Sequence, residues 1–95
     1  MNSEIRKIKN KILPILKQHG VRRAGLFGSV VRGEMKKKSD IDLLVEIAEE
    51  ISLLDFIGLK QVIEKTLNRK VDLVEYSTIK PLLREKILKE EVAIL

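Results

Sequence analysis

Three aspartates lie where an ionised carboxylate is hard to keep. Asp40 and Asp42 open the apolar run DIDLLVEI, and Asp72 sits inside KVDLVEY. In an extended strand successive side chains alternate faces, so Asp40 and Asp42 point one way while Ile41, Leu43, Val45 and Ile47 point the other. Aspartate is depleted in strands and seldom buried unpaired. Without partners an ionised carboxylate is very costly in apolar surroundings, so it must find a cation, a set of donors or a proton. Asp40 has a structural alternative, as the end of a loop or a cap for a turn after Ser39. Asp42 has apolar neighbours on both sides and is harder to assign to structure alone. Two carboxylates about 7 Å apart on one strand face can flank one or two metal ions when a third oxygen ligand faces them. We expect Asp40, Asp42 and Asp72 to share divalent metal.

The first two aspartates end the stretch LFGSVVRGEMKKKSDIDLLV, residues 26–45. In it a short apolar strand runs into Gly28-Ser29. Gly28 permits positive φ or close backbone approach, and Ser29 can cap a short helix through Val30, Val31 and Arg32. A strand, a Gly-Ser turn and a helix start together offer N–H groups and a hydroxyl to an anion such as phosphate. Many such turns serve geometry only. The stretch is neither a Walker A loop nor G-x-G-x-x-G. Lys36, Lys37 and Lys38 read as a solvated loop whose position lets one lysine reach a phosphate or an acidic partner surface.

These residues need elements to hold them. Ile5, Ile8, Ile12, Ile15 and Leu16 recur at helical spacing, predicting a helix over Ser3–His19 with Ser3 as N-cap, Gly20 as the stop and a bend at Pro14. His19 reads as a C-terminal residue interacting with the helix dipole rather than a catalytic base. Strands are expected over Val21–Phe27, Asp40–Ile47 and Val71–Tyr76. Ser52 and Asp55 give a capping-box-like start to a helix ending at Leu67, and Asn68-Arg69 turns the chain. A last helix is expected over Thr78–Glu90, with Pro81 in its first turn. Residues 92–95 either end that helix or add an edge strand. If the third strand lies beside the second, Asp72 can face the Asp40/Asp42 pair.

At 95 residues the chain has the length of one domain, residues 1–95, with one modest core. It contains no cysteine, which excludes disulfides and thiolate zinc sites. Its apolar runs are far below the ~20 residues of a membrane span, and no secretory-type leader opens it. A cytoplasmic location is the default expectation. Nineteen Lys and Arg against 14 Asp and Glu give a net charge of +5. That excess favours polyanionic partners, although a solvated Lys- and Glu-rich surface accounts for most of it. Aromatics make up 3%, too few for a base-stacking platform, so nucleic acid is disfavoured as a partner.

Gly28-Ser29, Arg32-Gly33 and Ser39-Asp40-x-Asp42 together resemble the G-S-x-x-R-G…S-D-x-D-L signature of the nucleotidyltransferase superfamily related to DNA polymerase β. Asp72 stands at the third-carboxylate place. At this length the chain is similar to the minimal nucleotidyltransferases (MNT), antitoxin halves of pairs whose toxin is a HEPN ribonuclease. The resemblance implies an α/β (α+β) fold with a small mixed sheet of three to four strands and about four helices. It implies transfer of AMP from ATP to a hydroxyl, a tyrosine of the partner toxin, with pyrophosphate leaving. It implies two Mg²⁺ ions on Asp40, Asp42 and Asp72, with Asp72 also a candidate to help deprotonate the acceptor; Mg²⁺ prefers carboxylate and phosphate oxygens, which suits a chain with one His and no Cys. Gly28 and Ser29 would hold the departing phosphates, and Arg32 would contact phosphate or, in the preferred reading, brace the aspartates by ion pairing. The chain leaves no room for an acceptor-binding domain, so a partner protein is expected to supply the acceptor. The rival expectations are an antitoxin that neutralises by contact alone and an RNA-end nucleotidyltransferase.

Overall fold

Ile5, Ile8, Ile12 and Leu16 form one buried stripe along the first helix, α1 (Ser3–Gln18), in a computed structural model that describes residues 2–95. The helix starts at Ser3 as its pattern suggested, but its cap lies one residue earlier. Asn2 rather than Ser3 is the N-cap, its Oδ1 accepting from the Ile5 N–H at 2.8 Å. An N-cap side chain satisfies an N–H that has no partner inside the helix. Pro14 lies within the helix, and His19 ends it, its Nδ1 at 2.9 Å from the Ile15 carbonyl. That contact makes His19 a helix-terminal residue, as expected.

The chain continues through β1 (Val21–Phe27), α2 (Ser29–Arg32), β2 (Ile41–Ile47), α3 (Leu53–Leu67), β3 (Val71–Glu75), a 3₁₀ turn (Tyr76–Thr78), α4 (Pro81–Glu90) and β4 (Val92–Ala93). The expected last helix is shorter at its start. Thr78 belongs to the 3₁₀ turn, and Pro81 takes the first helical position, where its missing N–H costs nothing. Asp40 lies just before β2 rather than in it. Ser52 caps α3, its Oγ accepting from the Asp55 N–H at 3.1 Å.

The sheet order is β3-β2-β1-β4. β1 runs antiparallel to β2 and to β4, while β2 and β3, joined across α3, run parallel. Residues 92–93 therefore form an edge strand, held by pairs such as Leu26 with Val92. Strand alternation divides the sheet into two faces. Ala24, Leu26, Ile41, Leu43, Val45, Val71 and Leu73 pack with the α1 stripe and with Leu59 and Ile63 of α3. On the other face Leu44, Tyr76 and Ile79 form a smaller cluster, joined by Phe27, Val74, Ile87 and Leu88. α4 has no fully buried residue. Its end is fixed by polar contacts: Tyr76 Oη donates to the Glu91 carboxylate, which Arg23 also reaches at 3.3 Å.

This division predicts where the fold breaks. Ile12→Ala removes a side chain with no exposed surface and should cost about 2–5 kcal/mol in urea unfolding. Leu82, 96% exposed on α4, should tolerate alanine to within about 0.5 kcal/mol.

Candidate active site

The parallel pairing of β2 with β3 puts Asp42 directly beside Asp72 in register. On its other side Asp42 pairs with Phe27, the last residue of β1. Asp42 and Asp72 share the sheet face opposite the main core, and Asp40 stands one residue before the strand. Asp42 is half-buried; Asp40 and Asp72 are exposed. Burial first, and then the charges of Asp72 and Asp40, push the Asp42 carboxyl from 3.8 to about 6. The Arg32 charge opposes this and Glu90 adds to it. Like charges gathered on a partly desolvated face favour either a proton or a cation.

Gly28 closes the site from the β1 side. It is the N-cap of α2 with φ 76° and ψ −149°, a region that residues with a side chain essentially do not enter. A Cβ at this position would come within 2.0 Å of Asp42 Oδ2. Glycine is thus required twice, for the turn and for the backbone's approach to the carboxylate. Val31 and Arg32 direct their N–H groups to the Gly28 carbonyl, at 3.1 and 3.2 Å. Ser29 is the first helical residue and not the cap, so its hydroxyl does not serve the helix. The Ser29 and Val30 N–H groups precede these bonds at the helix start and suit an anion.

Arg32 departs from the preferred expectation. Its ion pairs are to Glu90 at 3.0 Å and Glu34 at 3.0 Å, and among the described residues none joins it to the aspartates. It acts on Asp42 through space, by charge alone. Glu90, which the sequence did not single out, also accepts from the Gly28 N–H. Its only sequence signal is a Glu pair at the end of a helix, too common to read. Arg69 donates to the Lys36 and Ser39 carbonyls at 3.0 and 3.2 Å, fastening the basic loop to the α3–β3 turn. A groove of about 390 Å³ beside Asp40 is lined by Lys37, Lys38, Arg69 and Lys70.

The carboxylates suit Mg²⁺ by their chemistry rather than by closure around it. Among the described residues, no three carboxylates are close enough to cage an ion. Mg²⁺ is ordinarily held by one or two carboxylates together with waters and substrate phosphates. An open, hard-oxygen, cation-seeking patch beside an anion-receptive turn is that kind of arrangement.

A carboxyl raised to about 6 stabilises the folded protein least above that pH, where it must ionise at a cost, and the penalty vanishes below about pH 4. Asp42→Asn should therefore raise the melting temperature of metal-free protein at about pH 8 by a few degrees, with no gain near pH 4. Mg²⁺ should raise the wild-type melting temperature at about pH 8 and leave Asp42→Asn unmoved. Gly28→Ala should cost about 1–3 kcal/mol from backbone strain alone, with further loss from the clash, read by urea unfolding.

Residues 10–95 match the family described as polymerase beta, nucleotidyltransferase. A proposed protein adenylyltransferase of Methanocaldococcus jannaschii is 52% identical over 91 residues, covering 96% of this chain and 98% of that one. Among solved structures, a proposed minimal nucleotidyltransferase superposes with a TM-score of 0.81 at 39% identity, over 94% of this chain and 91% of that one. A toxin–antitoxin crystal structure with AMP-PNP gives 0.80 at 26% identity, over 92% of this chain and 72% of that one. The four-stranded mixed sheet and four helices are the minimal nucleotidyltransferase fold, and the chain belongs to the polymerase beta nucleotidyltransferase family, an enzyme of nucleotidyl transfer.

Proposed function

We propose that this protein moves AMP from ATP to a tyrosine hydroxyl of a HEPN-domain toxin and thereby acts as its antitoxin. The observation that carries this reading is the Asp42–Asp72 pair set against the Gly28–Ser29 turn. It is supported by likeness to a proposed protein adenylyltransferase and to a toxin–antitoxin structure with AMP-PNP. Exposed Leu53 and Leu54 on α3 and Leu82 and Leu83 on α4 suit a chain that meets another protein.

In this reading Asp40, Asp42 and Asp72 hold Mg²⁺, which when bound neutralises phosphate charge and polarises the phosphorus under attack. The Ser29 hydroxyl and the first N–H groups of α2 receive the phosphates that leave as pyrophosphate. Asp72, which is exposed, takes in this reading the proton of the acceptor hydroxyl as its oxygen bonds to the α-phosphorus. Arg32 contributes positive charge near the leaving group without touching the aspartates. No described helix is long and apolar enough to cross a membrane.

Incubation with labelled ATP and Mg²⁺, with and without the product of the neighbouring gene, tests the reading. Label should appear on the partner, and Asp42→Ala should reduce transfer by at least about 100-fold. Binding of the partner with no transfer from any of the four nucleotides would establish neutralisation by contact alone.

A further inference from the structure

α2 is four residues long, too short to hold its own geometry in water. Its local sequence also lacks the usual means of fixing its start. In a capping box the N-cap side chain takes the N–H of the third helical residue, and a Glu at that residue returns to the N-cap N–H. Here the N-cap is Gly28, with no side chain, and the third helical residue is Val31. The missing carboxylate comes instead from Glu90, at the C-terminal end of α4, 62 residues away. Its Oε1 takes the Gly28 N–H, and its two oxygens lie 3.0 and 3.1 Å from Arg32 Nη1. The Glu90 side chain is 20% exposed, so these are partly desolvated, charge-assisted bonds.

We propose that Glu90 is a positioning residue of the nucleotidyl-transfer site, a capping carboxylate supplied from α4 that holds the Gly28–Ser29 turn and Arg32 beside Asp42. The inference rests on the nucleotide-binding reading above. Glu90 takes the N–H of the cap residue itself, and because Val31 and Arg32 direct theirs to the Gly28 carbonyl, the N–H groups of Ser29 and Val30 are those left for phosphate. It therefore supports the cradle rather than filling it. The neighbouring Glu91 turns to Tyr76 and Arg23, which anchors the end of α4 independently, so loss of Glu90 leaves the helix attached.

The test measures Mg·ATP binding by calorimetry and the transfer reaction, in the full chain, at a temperature well below unfolding. Glu90→Ala should weaken Mg·ATP binding about tenfold or more, the scale of a lost charge-assisted bond. Glu90→Gln keeps an oxygen for the Gly28 N–H and should recover part of that loss. Glu85→Ala, which removes an equal charge from an exposed position on the same helix, should bind as wild type. A double-mutant cycle of Glu90→Ala with Arg32→Ala should be non-additive. If wild type binds Mg·ATP and Glu90→Ala binds it equally well, with only its melting temperature lowered, Glu90 is merely structural and the proposal is overturned. If wild type itself binds no Mg·ATP, the nucleotide-binding reading fails, and this inference with it.

Discussion

The approach of the Gly28 backbone to the Asp42 carboxylate is the constraint on which the site depends. There is no space for a Cβ between them, so the end of β1, the start of α2 and the second residue of β2 are fixed as one unit. Antiparallel pairing of β1 with β2 brings Phe27 and Asp42 opposite each other. Parallel pairing of β2 with β3 adds Asp72. Each of these strands contributes one feature at the same end of the sheet: the turn, the half-buried carboxylate and the exposed one. An error of one residue in either register would send an aspartate into the apolar core, because strand side chains alternate faces.

The charges at this edge are arranged in opposition. Asp42 is held above its ordinary range by burial and by Asp72 and Asp40. Arg32 partly relieves it, yet spends its hydrogen bonds on Glu34 and Glu90. A direct Arg32–Asp42 ion pair would satisfy the carboxylate and lessen its demand for a cation. By engaging Arg32 with Glu34 and Glu90, the fold leaves the carboxylates open to a ligand. The apolar core on the opposite face, with Leu43 and Val45 of the same strand completely buried, supplies the rigidity that maintains this unrelieved arrangement.

The two faces of the sheet divide the labour. The face under α1 and α3 is continuous and apolar, and its helices could be read from their stripes. The other face is thinner, covered in part by α4, which buries no residue fully. That thin cover is also where Glu90 and Glu91 reach in, one toward the site and one toward Tyr76 and Arg23. An element weakly packed along its length and tied down at its end is held chiefly by those polar contacts.

Local chemistry announced much of this protein. Carboxylates in an apolar strand, a glycine-serine turn after a strand and stripes at helical spacing are short-range patterns, so Asp42, Gly28, α1 and α3 were all legible as letters in a row. The N-cap moved by one residue to Asn2, since neighbouring polar side chains compete for a cap and only the folded backbone selects one, and α4 starts only at Pro81 because Tyr76–Thr78 form a 3₁₀ turn first. Other features waited on tertiary structure. β4 exists because Leu26 and Gly25 offer it an edge. Arg32 pairs with Glu90 because α4 returns to the start of α2 across 58 residues. No local rule reports which distant carboxylate an arginine or a bare N–H will meet; that is settled when the chain closes on itself and each partly desolvated charge must find a partner.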